Sequence, residues 1–133
     1  MNQEEFDEIV REFVQNKADY LYAMEKTRTA KDQRPIKPKG PIPFEQATEY
    51  PMALAEYDQK VDAAEQHQRH MGLEYERSKN KLIGAIPMAN AWVTSGDYVV
   101  GKYSDAWGGW HTEVMVVLKG EELPSLNNRD YHD

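Results

Sequence analysis

The chain has 133 residues, a net charge of −7 and no cysteine, and 40% of its residues are hydrophobic. The length suits one ordinary domain with a lean core, because globular chains carry ~45–50% apolar residues when Gly is included. The missing cysteines exclude disulfides, thiolate metal sites and cysteine nucleophiles, and favour a reducing cytoplasm. Since no apolar run approaches the ~20 residues that span a bilayer, we expect no membrane association.

Charge is distributed unevenly along the chain. Between Lys26 and Lys39, six basic residues face one acid, which gives +5 and leaves −12 for the remainder. An acidic body repels phosphates, so this balance argues against nucleic acid as a general partner.

A first helix is predicted from about Asn2 to about Arg28. Its apolar residues recur at steps of three and four and form a stripe roughly 140° wide. A stripe of this width contacts two neighbours, so we expect a bundle rather than an isolated pair of helices. The stripe consists of Phe6, Ile9, Val10, Phe13, Val14, Tyr20, Leu21 and Met24.

Residues 29–49 form a basic connector. Its central segment, 34–43, contains four prolines, which remove backbone donors and favour an extended path. One hypothesis is a recognition strap for an acidic or aromatic-lined partner. The interpretation we favour is a semi-rigid connector between two antiparallel helices, pinned by Ile36 and Ile42, with a separate turn over 44–49.

A long second helix is predicted from Tyr50 to Leu82, with Pro51 in its first turn and Gly84 as a stop. Its apolar positions alternate by four and three, which is the heptad spacing of a coiled coil. Such a seam must be covered by another part of the chain or by another copy, so we expect a homo-oligomer, with a dimer favoured. The residues assigned to oligomerisation are Leu54, Tyr57, Val61, Ala64, Gln68, Met71 and Tyr75.

After Pro87 the sequence becomes rich in β-branched and aromatic residues. Three runs, 92–94, 98–103 and 112–118, predict a three-stranded antiparallel β-meander within residues 86–120. A polar C-terminal tail should occupy 121–133. So small a sheet must lie on the helices or on another subunit. The predicted fold is therefore α+β, with a long antiparallel, coiled-coil-like helical hairpin over residues 1–85 followed by the meander.

The segment from Gly96 to Tyr103 resembles a phosphate-binding P-loop without completing it. That motif requires Ser or Thr after the lysine, whereas Tyr103 follows Lys102 here. It also requires a helix after the strand, and none is predicted. We therefore expect an ordinary strand.

Two further groups of polar residues have simpler explanations than chemistry. His67, His70 and Glu74 share a helical face, but they lack the His-Glu-x-x-His spacing and an obvious fourth ligand. Ser104, Asp105 and His111 are near in sequence and could suggest a nucleophile with a base, but their loop signals neither a rigid catalytic arrangement nor an oxyanion site. We predict no catalytic residue, no metal site, no cofactor and no enzymatic activity.

All three tryptophans lie between Trp92 and Trp110. Aromatic side chains on a small sheet can pack against helices, anchor a protein interface or stack on bases. Core packing is the first interpretation, a protein interface the second and base stacking the third. If the loop is an interface, its contact residues are Tyr103, Trp107, Trp110 and His111.

These patterns favour a non-enzymatic protein-interaction module, in which the helices self-associate and the aromatic β tip holds an unknown protein partner. One alternative is an acidic inhibitor or decoy of a nucleic-acid-binding enzyme, suggested by the −12 outside the basic segment. A second is a single-stranded nucleic-acid binder that uses the aromatic loop and the basic connector.

Overall fold

The computed structural model describes residues 1–104 and 111–126. Its helices and strands confirm the predicted α+β class. Trp107 and Trp110 lie outside the described residues. The elements are α1 (Gln3–Asp32), α2 (Phe44–Ala47), α3 (Glu49–Ala85), β1 (Val93–Ser95), β2 (Tyr98–Ser104) and β3 (Thr112–Leu118).

Helix α1 begins where its sequence provides a cap. The side-chain oxygen of Asn2 accepts a hydrogen bond from the backbone N–H of Glu5 at 2.7 Å, which satisfies one of the free donors of the first turn. The helix continues past the predicted end at Arg28 to Asp32. Its first turn carries Glu4 and Glu5, whose charges favour the positive end of the helix dipole.

Helix α3 is unbroken, as the heptad spacing predicted. Pro51 lies in its first turn, where a missing N–H leaves no bond unmade. Gly84 does not stop the helix, which ends at Ala85, two positions before Pro87. The separate turn expected before Tyr50 is the short helix α2.

The three strands form an antiparallel sheet in the order β1-β2-β3, which confirms the meander. Val100 in β2 lies opposite Val93 in β1 and Val116 in β3. Gly96 adopts a φ of 55° in the tight turn between β1 and β2, a conformation that glycine tolerates better than other residues.

The chain divides into two compact units, which we describe separately. The sheet unit consists of Met1–Gln15 and Tyr75–Asp133, and the helical unit consists of Asn16–Glu74. In the sheet unit, apolar side chains from α1, α3, β2 and the residue that follows α3 form one buried cluster. Its members are Phe6, Ile9, Val10, Phe13, Leu82, Ile86 and Val100, with Val14, Tyr75, Ala85, Val93, Tyr98, Val114 and Val116 packed around them.

Polar contacts attach the sheet to the helices inside the sheet unit. The hydroxyl of Ser95, a buried residue, donates to Asp7 at 2.7 Å. The ammonium of Lys102 donates to the carbonyl of Ile83 at 3.0 Å, so a lysine from β2 satisfies a free carbonyl in the last turn of α3.

Leu126 belongs to the segment expected to be a polar tail, yet only 3% of it is exposed. It packs against Gly101 of β2. A Cβ added at Gly101 would collide with the end of the Leu126 side chain and come within 3.3 Å of the Ala91 carbonyl oxygen. The glycine therefore permits the close approach of these groups to the sheet.

The helical unit has a different interior. Within the described residues of this unit, Ala23 is the one buried hydrophobic residue. Thr27, which follows it by four positions in α1, is buried as well. The Thr27 hydroxyl donates to the carbonyl of Ala23 at 3.0 Å and to that of Ala64 at 3.2 Å. Small and polar side chains thus fill the positions nearest the unit's interior.

Part of the stripe predicted for α1 is exposed in the single chain. Leu21 and Met24 are 53% and 41% exposed, whereas Ala23 and Thr27, which the prediction omitted, are buried. Most of the buried and half-buried positions of α1 in the helical unit follow a heptad of mainly small or polar residues, of which the predicted stripe contained Tyr20 alone. They are Asn16, Tyr20, Ala23, Thr27 and Ala30.

Candidate interaction surfaces

The residues assigned to oligomerisation are all partly buried. Within the helical unit these are Leu54, Tyr57, Val61, Ala64, Gln68 and Met71. The Tyr57 hydroxyl donates to the carbonyl of Lys31 at 3.0 Å. The Ala64 carbonyl accepts from Thr27, as described above. Tyr57 and Ala64 therefore contact α1 of the same chain.

Tyr75, the last residue assigned to oligomerisation, lies in the sheet unit. Its ring packs against Phe13 with centroids 5.6 Å apart and an interplanar angle of 34°. Tilted aromatic pairs at this distance are favourable beyond the area they bury. Tyr75 thus packs against the buried cluster of this unit.

Two of the four residues predicted for the aromatic tip are described. Tyr103 is half-buried near the end of β2, where it pairs in register with Glu113, and His111 is exposed just before β3. Trp92 is half-buried, and its Cε3 atom lies 3.3 Å from the position that a Cβ on Gly101 would take. Trp92 therefore packs on the sheet, whereas the interpretation offered for the three tryptophans together stays a prediction.

Large apolar side chains are exposed along the helices of the helical unit. Leu21 and Met24, which belong to the predicted stripe of α1, are among them. Lys26 lies over the ring of the exposed Tyr22, 5.2 Å from its centroid, so that ring has a cation–π contact. The exposed set is Leu21, Tyr22, Met24, Ile36, Phe44, Met52 and Leu73.

The connector forms a groove with the start of α3. Its volume is about 250 Å³. Ile42 is half-buried in it, but Ile36 is 90% exposed, so the expectation that Ile36 pins the connector is wrong. This connector groove is lined by Pro35, Ile36, Pro38, Ile42, Gln46, Glu49, Tyr50 and Ala53.

The pattern that resembled a P-loop has a structural role. Its glycines and lysine lie in or beside β2, so Lys102 lies within a strand and not at the start of a helix. The lysine is Lys102, whose ammonium is engaged by the Ile83 carbonyl. This geometry lacks the strand-to-helix turn that cradles a phosphate.

Among the described residues of the sheet unit, Asp7 and Lys79 have shifted pKa values. Hydrogen bonds from Ser95 and Gln3 to the carboxylate of Asp7 lower the pKa of that group. Burial opposes the charge of Lys79, but the carboxylate of Glu113 at 3.3 Å attracts it, and the net effect raises the pKa of Lys79. Both contacts tie a helix to the sheet.

No group of three or more His, Asp or Glu side chains is placed to hold a metal ion within residues 1–104 and 111–126. In particular, His67 and His70 are exposed on α3. Over the same described ranges, no helix is long and apolar enough to cross a membrane. The chain matches no protein-family model, no curated protein and no solved structure.

Proposed function

We propose that this protein is a non-enzymatic interaction module whose helical unit mediates self-association. Within that unit, α1 and α3 pair as an antiparallel, coiled-coil-like hairpin. Four contacts support the pairing: as the α1 residue number rises, its partner in α3 falls. The pairs are Asn16 with Glu74, Tyr20 with Gly72, Thr27 with Ala64 and Lys31 with Tyr57.

The observation that carries the proposal is the mismatch between buried and exposed apolar groups in the helical unit. Among the described residues of this unit, the one buried hydrophobic residue is Ala23, whereas Leu21 and Met24 are 53% and 41% exposed on α1. Burying a large apolar side chain fully contributes about 1.5–3 kcal/mol, so covering this pair in an oligomer is favourable. We assign self-association to this Leu21/Met24 surface.

The corresponding stripe residues of the sheet unit support this assignment. Val10 is fully buried, and Val14 packs against the core cluster. Val10, Val14, Leu21 and Met24 lie on one stripe of a continuous helix by its periodicity. A stripe that is covered in one unit and exposed in the other supports the proposal that a partner covers the exposed part, and a second copy is the simplest partner.

The test replaces both surface residues in one variant, Leu21→Glu/Met24→Glu, and measures molar mass by sedimentation equilibrium across a concentration series. We expect the wild-type chain to dimerise and the variant to remain monomeric with an unchanged circular dichroism spectrum. The matched control is Tyr22→Glu/Leu73→Glu, which also replaces two exposed apolar residues of the helical unit. A wild-type chain that is monomeric throughout the series would refute the proposal.

We assign partner binding to the aromatic tip, with Tyr103, Trp107, Trp110 and His111 as its contact residues. The exposure of His111 and the partial exposure of Tyr103 support this assignment. Trp107→Ala/Trp110→Ala should abolish capture of the partner while leaving the unfolding transition in place. Trp92→Ala serves as the contrast, because this half-buried tryptophan should lower stability instead.

A further inference from the structure

We infer that the connector groove binds an acidic segment of a partner protein and accepts one large apolar side chain from it. This surface is separate from the Leu21/Met24 surface and from the aromatic tip. It extends the interaction role to a second ligand class, and its test does not depend on self-association. Three observations carry the inference: the form of the groove, the charge around it and the exposed side chains at its edge.

The groove is large enough for an aromatic or branched aliphatic side chain. Its volume of about 250 Å³ exceeds the ~150 Å³ of an apolar cavity that holds benzene. One wall is formed by Pro35, Pro38 and Ile42 of the connector, and the other by Tyr50 and Ala53 of α3. Proline and tyrosine provide a rigid apolar lining, so little conformational entropy is lost when a ligand enters.

Positive charge surrounds this apolar lining on the connector side. Arg34, Lys37 and Lys39 are all exposed, and no acidic residue lies among residues 34–43. The segment therefore carries +3 beside an apolar cavity. Charges arranged in this way attract an anionic segment and suppress cationic ones, with an effect that salt screens over roughly 8 Å at physiological ionic strength.

The groove favours a protein segment over a lipid surface. Glu45 and Glu49 lie at the α2 and α3 side, and Glu49 lines the groove itself. A concave site suits an inserted side chain better than a flat membrane does, and the carboxylates on this side place the acidic residues of the segment against the connector side instead. Ile36 and Phe44, which are 90% and 80% exposed, extend the apolar contact area at the rim.

The experiment selects a phage-displayed library of random peptides against the full-length chain and measures the selected peptides by fluorescence anisotropy. We expect a consensus that combines acidic residues with one aromatic or large aliphatic residue. Arg34→Glu/Lys37→Glu/Lys39→Glu should weaken binding at least about tenfold, and raising the salt concentration should weaken it as well. The matched control is Lys17→Glu/Arg69→Glu/Lys119→Glu, which changes net charge equally at exposed positions away from the groove.

A second variant tests the cavity rather than the charge. Ala53→Leu fills the groove from the α3 side and should reduce peptide binding while circular dichroism stays unchanged.

Selection of no peptides, selection of basic peptides, or equal loss in both charge variants would overturn the inference. So would binding to phosphatidylserine vesicles that depends on Arg34, Lys37 and Lys39. Loss of wild-type dimerisation in the connector charge variant alone would assign the groove to a second copy, and would also overturn it.

Discussion

The sheet unit and the helical unit both use segments of α1 and α3, yet they bury very different material. In the sheet unit a β-sheet adds a second layer, and Val10, Leu82 and Val100 are completely buried. In the helical unit Ala23 is the buried hydrophobic residue within the described range, and hydroxyl and amide groups make the specific contacts. Two helices alone leave most side chains half-exposed. A buried core forms only where a third element covers the seam between them.

The comparison predicts that truncating a seam residue of α3 lowers the free energy of unfolding more in the sheet unit than in the helical unit. Leu82→Ala creates a cavity in the sheet unit and should lower the free energy of unfolding by about 2–5 kcal/mol. Met71→Ala removes a half-buried side chain from the same seam in the helical unit and should cost only about 1 kcal/mol. Urea denaturation of both variants measures the difference. Equal losses would show that the two units are equally well packed.

Gly101→Ala tests how tightly the sheet unit is covered on the Leu126 side. An added Cβ must displace the Leu126 side chain and approach the Ala91 carbonyl oxygen, so we expect a loss of about 1–3 kcal/mol in unfolding free energy. The double variant with Leu126→Ala should lose less than the sum of the two single changes, because the collision is then absent. Strict additivity would contradict the contact.

Thr27→Val tests the polar interior of the helical unit. The substitution keeps the shape of the side chain but removes the hydroxyl that donates to Ala23 and Ala64, so the unfolding free energy should fall by about 1 kcal/mol. Thr29→Val is the control, because Thr29 is exposed on the same helix. If both variants have the same stability in thermal denaturation, the Thr27 bond contributes nothing to the unit.

The smallest expected effect is a pH dependence of the sheet unit. Because the pKa of Asp7 is lower in the folded chain, its contribution to stability is present above the unfolded pKa of about 3.9 and is lost as the pH falls through the folded value. Stability curves of wild type and Asp7→Asn should therefore converge below pH 4. Curves that remain parallel through this range would exclude a role for the Asp7 carboxylate.

Much of the fold could be predicted because its signals are periodic. The heptad spacing of α3 and the β-branched runs of the meander are local patterns, and both appear in the structure. The buried face of α1 was harder, since Ala23 and Thr27 carry little hydrophobic signal while Leu21 and Met24 carry much. A strict heptad continued from Phe13 through Tyr20 would have found them.

The candidate surfaces depended on information that a linear pattern does not contain. The connector groove forms because Ile42 and Tyr50, which lie on either side of α2 in the sequence, line the same cavity. The burial of Leu126 depends on Gly101, whose missing side chain leaves room for it. Conversely, the basic composition of the connector was evident, but whether Ile36 packed inward or pointed to solvent depended on its three-dimensional path.

The sheet unit is assembled from two segments that the helical unit separates in sequence, with Ser95 bonded to Asp7 across a separation of 88 positions. The helical unit, by contrast, is one uninterrupted stretch of sequence. During translation from the N-terminus, Phe6 and Phe13 are therefore made long before Leu82 and Val100, the side chains with which they share a core. Closing such a distant contact is slow relative to local pairing, so the nascent chain exposes two phenylalanines until the segment from Leu82 to Val100 has been made.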